Sequence, residues 1–228
     1  MTPSQSNKLY AIIVAGGQGT RFHSDVPKQF LLLDSKPILM HTIEHFYAFN
    51  ADIRIIVVLP KFQIDYWNQL CTKHHFSVPH TIVAGGSTRT ESVMNGLNAI
   101  GDTGLVAIHD GVRPLVSPAL IAQAFQQAAK TDSAIPTLPS TDTLRHISGK
   151  LLDRNSILLV QTPQVFNIEK LKQAYNQIPD KVFTDDASVY ESAGYKLSYI
   201  EGERTNLKIT TQFDLMLAEF LLKTNKTL

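Results

Sequence analysis

Apolar runs of strand length alternate along this chain with stretches in which apolar residues recur every three or four positions. The runs fall at 9–14, 53–59, 81–84, 105–109, 133–138, 158–162 and 196–201. Segments such as IRIIVVL and LVAI are apolar at successive positions, as strands covered on both faces should be. Helical periodicity occupies about 37–48, 61–75, 89–100, 118–130, 167–177, 186–193 and 212–223. Pro37 in a first turn, Ser117 before Pro118, and Thr211 before QFDLMLAEFLL supply start signals. The alternation predicts one α/β domain over residues 1–228, with a mostly parallel sheet wrapped by helices.

One stretch departs from the alternation. Residues 136–157, PTLPSTDTLRHISGKLLDRNSI, carry turn signals at Ser148-Gly149 and β-favouring residues on both sides. They predict a β-hairpin inserted between strands, too long for an ordinary connection. A lone hairpin is marginal in water unless it packs on something. It is therefore either a flap on its own domain or an arm that embraces a second subunit.

Composition then narrows the function. With 43% hydrophobic and 18% charged residues, the chain has an ordinary globular make-up. A formal charge of +1 supplies no field for nucleic acid or an anionic membrane. A single cysteine excludes an internal disulfide and fits a reducing compartment. No apolar stretch reaches the roughly 18 residues of a membrane span. The start, MTPSQSNK, lacks the basic-then-apolar plan of a signal peptide. These features predict a cytoplasmic protein.

Candidate chemistry begins where the first apolar run ends, in LYAIIVAGGQGTRFHSDVPKQF. Gly16, Gly17 and Gly19 would let backbone amides approach phosphate oxygens beyond a strand's carboxyl end. The dinucleotide pattern would need glycine at Phe22, and the P-loop pattern fails at Arg21-Phe22. Arg21 and Lys28 follow closely. A triphosphate attacked at its α-phosphorus gathers negative charge, which fixed cations stabilise best where water is excluded.

These residues bring the chain to a resemblance. VAGGQGTRFHSDVPKQFLLLDSKPILMHTIEHF resembles the opening signature of nucleotidyltransferases that join a nucleoside monophosphate to a sugar phosphate. AGGSTRTESV, HDGVRPLV, DRNSILLVQTPQVF, FTDDAS and NLKITTQFDLMLAE then follow in the order of the 2-C-methyl-D-erythritol 4-phosphate cytidylyltransferase family. The likeness runs from about residue 9 to 223.

The resemblance implies a Rossmann-like three-layer sandwich and in-line transfer of CMP from CTP to the methylerythritol phosphate. It places Ala15, Gly16, Gly17, Gln18 and Gly19 around the nucleotide, with Arg21 and Lys28 as the cationic catalytic pair. Gly86 and Ser87 would hold the cytosine beside Arg89 and Ser92, although Ser87 serves equally as a helix N-cap. Asp110 falls in the region of a divalent cation, Mg2+ by preference, and Arg113 meets the sugar phosphate. Gly111 stands where members often carry alanine, which keeps an amide contact to CTP open and loosens the loop. Thr162, Thr184, Asp185 and Lys208 complete the polyol-phosphate site, although Thr184 is also a plain candidate for a helix cap. Thr143 and Arg154 lie on the arm and, by the same resemblance, serve the neighbouring subunit of a homodimer.

Two rivals stand against this reading. Ribitol-5-phosphate cytidylyltransferases share the fold and CTP loop, but LLDRNSI and TDDAS favour the methylerythritol enzymes. A silent nucleotide-binding regulatory domain would not need Arg21, Lys28 and Asp110 together. Cys71, His74 and His75 end a helical segment with no further cysteine, so they read as structural or surface residues. Tyr66 and Trp67 read as packing residues. No nucleophile–base pair is evident, and none is required when the attacking phosphate is already an anion.

Overall fold

Residues 8–16, 26–177 and 183–225 are described in the computed structural model. In chain order they form β1 (Leu9–Val14), a short hairpin of β2 (Leu32–Leu33) and β3 (Lys36–Pro37), and α1 (Ile38–Phe49). Next come β4 (Arg54–Leu59), α2 (Ile64–Lys73), β5 (Thr81–Ala84), α3 (Arg89–Asn98), β6 (Leu105–Asp110) and α4 (Pro118–Thr131). The second half holds β7 (Ser133–Pro139), β8 (Leu144–Arg145), β9 (Leu151–Leu152), β10 (Leu158–Val160) and β11 (Gln164–Asn167). It closes with α5 (Ile168–Asn176), α6 (Asp186–Ser192), β12 (Tyr199–Glu201) and α7 (Gln212–Asn225).

Strands β5, β4, β1 and β6 pair in that order, all parallel. β11 then runs antiparallel to both β6 and β7. β7 also takes β10 antiparallel and β12 parallel. Alternate residues of β1 serve opposite layers, as the two-residue strand period requires. Ile13 packs with Leu39, Phe46, Trp67 and Phe125, while Ile12 packs with Val93, Leu97, Leu171 and Tyr190. Both isoleucines are fully buried, each worth roughly 1.5–3 kcal/mol. Helices cover both faces, so the three-layer α/β sandwich is the observed architecture. Among the described residues, no helix is long and apolar enough to cross a membrane.

The α3 layer approaches the sheet closely. A Cβ at Gly96 would lie 2.7 Å from the Ile12 side chain, so only glycine permits this seating. The last turn of α3 is thereby seated against Ile12 of β1 and Val58 of β4. α4 starts as its sequence signal predicts: Ser117 Oγ accepts the Leu120 amide at 2.9 Å, with Pro118 next. Trp67 is fully buried as a packing residue, but Tyr66 is 40% exposed and meets Phe30 only edge-on.

Two features differ from the pattern. The expected run at 158–162 forms β10 on the rim, and a further strand, β11, follows inside the sheet after Gln161–Pro163. β11 escapes a periodicity reading because it has four residues, opens with Gln164, and is held by pairing on both sides. Within 136–157, β8 and β9 do form a hairpin, with Gly149 at φ 88° in its turn. Only two residues per strand pair there, however, and β7 extends to Pro139 to pair with β10. The arm is thus rooted in the main sheet and is shorter beyond it than its sequence length suggests. Ile147 and Leu151 stand exposed on it, as do Leu158 and Leu159 on β10.

Candidate active site

The chain passes from β1 outward to β4 and β5, then returns to β6 on the other side of β1. The crevice beyond Val14 and Asp110, which are register partners, is therefore the sheet's switch point, where ligands of open α/β sheets bind. A cavity of about 610 Å³ opens there.

Its floor is built from the first glycine loop. The Ala15 amide donates to the Val58 carbonyl at 2.9 Å, and the Ala15 carbonyl accepts from Gln29 Nε2 at 2.8 Å. Gln29 is buried and also donates to Gln63 Oε1 at 2.7 Å. Phe30 beside it stacks on Trp67. Lys28 thus projects into the cavity from a turn anchored on both sides. Gly16 lines the floor as well, whereas Gly17, Gln18, Gly19 and Arg21 lie outside the described residues.

The β5–α3 connection forms one wall. Thr88, not Ser87, caps α3, accepting the Glu91 amide at 3.0 Å. Ser87 instead donates to the Glu91 carboxylate through its amide (2.6 Å) and hydroxyl (2.7 Å). Those bonds hold the exposed Glu91 carboxyl below the usual range. A Cβ at Gly86 would sit 2.2 Å from the Glu91 Cβ, so the loop requires glycine there. Ser92 accepts the Gly86 amide at 3.1 Å and donates to the Thr88 carbonyl at 2.9 Å. Its hydroxyl is therefore committed to shaping the loop. Glu91 was missed by sequence reasoning, although the Thr88-x-x-Glu91 spacing is a helix-start signal.

Asp110 dominates the opposite wall. Its Oδ2 meets Lys208 Nζ at 3.0 Å and Arg113 Nε at 3.3 Å, and Arg113 Nη1 also donates to the Asn206 carbonyl at 2.8 Å. Burial alone would raise the Asp110 carboxyl, but Lys208, Arg113 and Arg89 outweigh it and hold the group well below the carboxylate range. His109 beside it is fully buried, which drives its pKa down to about 3 and keeps the ring neutral. The Asp110 amide donates to Thr162 Oγ1 at 3.1 Å; because His109 Nε2 faces a carbonyl, the neutral ring's Nδ1 accepts from the Thr162 hydroxyl, also 3.1 Å away. His109 then carries its proton on Nε2, facing the Arg113 carbonyl at 3.3 Å. Thr162 lines the cavity, but its hydroxyl first organises Asp110 and His109.

Gly111 departs from its expected part. It is buried, its amide donates to the Val14 carbonyl at 2.9 Å, and its carbonyl accepts from Thr42 at 3.1 Å. A Cβ there would meet Ala15 Cβ at 2.9 Å. It packs the loop rather than loosening it, and its amide is already engaged.

The remaining side is supplied by the α6 entrance. Asp185, not Thr184, caps α6, accepting the Ser188 amide at 3.1 Å. Gln164 Nε2 donates to Asp185 Oδ2 at 2.9 Å, a role invisible in sequence because β11 was not foreseen. Thr184 and Asp185 line the cavity together with Arg89 and Lys208. Thr143 and Arg154 do not: they line a separate depression on the arm, where Arg154 donates to the Thr141 carbonyl at 3.1 Å.

Fold and cavity together define an α/β enzyme of the nucleotidyltransferase class. Residues 9–224 match the family model of 2-C-methyl-D-erythritol 4-phosphate cytidylyltransferase, and the chain belongs to that family. The Bacteroides thetaiotaomicron protein of that name is 49% identical over 218 residues, spanning 94% of this chain and 100% of the relative. A Porphyromonas gingivalis relative of the same name is 48% identical over 219 residues, spanning 94% and 98%. The crystal structure of the Thermus thermophilus enzyme superposes with a TM-score of 0.77 at 31% identity, covering 95% of this chain and 99% of that one.

Proposed function

We propose that this chain transfers CMP from CTP to 2-C-methyl-D-erythritol 4-phosphate and releases pyrophosphate. The observation that carries the reading is the convergence of Lys28, Arg113, Lys208 and Asp110 on one cavity at the switch point. Two cations share a single carboxylate there, which leaves positive charge for phosphate. In the proposed step, a phosphate oxygen of the polyol phosphate attacks the α-phosphorus of CTP in line. The bond to the β-phosphate oxygen breaks, and pyrophosphate leaves with its electron pair. No general base is needed, because the nucleophile is already anionic. Catalysis then rests on positioning and on charge stabilisation by Arg21 and Lys28. Gly86 and Ser87 face the base, while Arg113, Lys208, Thr162, Thr184 and Asp185 surround the polyol phosphate.

Asp110 also fits the Mg2+ that we propose as cofactor. Among the described residues, no group of three or more His, Cys, Asp or Glu side chains could cage a metal. A Mg2+ that keeps waters and phosphate oxygens needs only one or two carboxylates, and Asp110 offers one. When bound, the ion would neutralise phosphate charge. The setting we propose is the cytoplasm.

The second half of the reading concerns the arm. Thr143 and Arg154 complete the polyol-phosphate site of a partner subunit in a homodimer. Support comes from their place on the arm, outside their own chain's cavity, from Leu151 exposed beside them, and from the further exposed apolar residues Ile147 and Leu158.

The test is incubation with CTP and Mg2+ plus each polyol phosphate in turn, following pyrophosphate. Methylerythritol phosphate should exceed ribitol 5-phosphate in kcat/KM by at least about tenfold, or roughly 1.4 kcal/mol. Equal turnover, or preference for ribitol phosphate, would remove the assignment.

A further inference from the structure

Arg89 is in an unusual place for a cation. It is the first residue of α3, where the unpaired amides already present positive charge, so the macrodipole disfavours it. Helix formation therefore does not explain its charge. Its Nη2 reaches Asp186 Oδ2 at 2.5 Å, and the Asp186 side chain is completely buried. The other carboxylate oxygen, Oδ1, accepts from the Tyr175 hydroxyl at 2.5 Å. Burial and the Asp186 charge push the Tyr175 phenol well above its ordinary pKa, so it remains a donor.

The backbone around this carboxylate is fixed as well. Gln164 Oε1 accepts the amides of Asp186 and Ala187, at 3.1 and 2.8 Å. Removing a carboxylate from water costs several kcal/mol, which is recovered only when good partners surround it. Asp186 has them, and one is a guanidinium on the cavity wall. The link joins the β5–α3 wall, which carries Gly86 and Ser87, to the β11–α6 side, which carries Thr184 and Asp185.

We propose that Asp186 is a positioning residue acting through Arg89: it turns a surface cation into a fixed set of donors on the nucleotide side of the cavity. The inference rests on the cytidylyltransferase reading. A guanidinium partly neutralised by a buried carboxylate is suited to directional bonds with oxygen acceptors of CTP whose charge does not change in the reaction. Such contacts act equally in the ground and transition states, so they appear in KM rather than kcat.

Asp186→Asn should raise the KM for CTP about tenfold and leave kcat within about threefold. Arg89→Met should do the same. The double variant should be no more than about threefold worse than Arg89→Met, because both changes remove one interaction. A general folding defect would instead lower kcat with the folded fraction and multiply in the double variant. If Asp186→Asn does not fold, Tyr175→Phe removes only the phenol donor. It should raise the KM for CTP about threefold, with no further rise in the Arg89→Met background. Wild-type KM in the folded single variants, or multiplied losses in the double, would overturn the inference. If the wild type still makes pyrophosphate in that case, the function stands and the positioning role alone falls. A wild type that neither binds CTP nor releases pyrophosphate removes both.

Discussion

Thr162→Val tests whether the wall carrying Asp110 is organised by a single hydroxyl. Valine nearly matches threonine in shape but can neither accept the Asp110 amide nor donate to His109 Nδ1. The His109 ring is fully buried and the Asp110 side chain only 14% exposed, and the neutral His109 cannot relieve its loss by taking a proton until pH approaches its pKa of about 3. An unsatisfied buried polar group costs about 1–3 kcal/mol, so two should cost about 2–4 kcal/mol together once the site relaxes. For a protein of this size that corresponds to a fall of roughly 4–16 °C in Tm. Urea unfolding and thermal melting measure the loss directly, and pyrophosphate release measures its effect on Asp110. Thr162→Ser, which keeps the hydroxyl, should recover most of both quantities. A valine variant within about 0.5 kcal/mol of wild type would refute the hydrogen-bond assignment. A serine variant as damaged as the valine one would show that the methyl group, not the hydroxyl, matters.

Arg21→Met and Lys28→Met should each lower kcat about 10²-fold or more with little loss of CTP affinity, as removal of a transition-state contact does. Near-normal kcat with poor CTP binding would mark the residue as a ground-state anchor. The Asp110 carboxyl is held below its unfolded pKa of about 3.9, so its stabilisation is present above that pH and fades as pH falls toward its native value. Between about pH 4 and pH 2, Asp110→Asn should therefore lose stability less steeply than wild type, and parallel acid-unfolding curves would contradict this. Lys28→Met and Arg154→Met proteins, each inactive alone, should regain about a quarter of wild-type activity after unfolding and joint refolding if Arg154 acts across a dimer. Verified mixed dimers with no recovery would rule out the shared site.

The parallel half of the sheet was legible because LYAIIV, RIIVVL and LVAIHD are buried on both faces and announce themselves in composition. β11 was not legible: a four-residue strand beginning with glutamine is chosen by its neighbours in space. Its absence from the pattern also concealed Gln164, which braces Asp185, Asp186 and Ala187 at once. The site was readable as residue types near strand ends, namely Lys28, Asp110 and Lys208. The placement of protons was not, because it depends on pairs such as Thr162 and His109, 53 positions apart. Ser87 and Thr184 were each one residue from the true cap. Helix-start chemistry tolerates several side chains, and only backbone angles choose among neighbours.

The direction of β11 decides where this protein can vary. In a sheet of uniformly parallel strands, the segment entering a strand lies at the rim opposite the ligand. Here β11 is reversed, so Gln164, its first residue, sits beside Ile108 near the end of β6. β7 finishes at that same rim, and the whole excursion from Pro139 to Gln164 both departs from and returns to the cavity's edge. Growth or shortening of the excursion leaves the order of the buried strands untouched, yet every such change is felt within a few residues of Thr162. The architecture gives its most peripheral segment direct access to the chemistry.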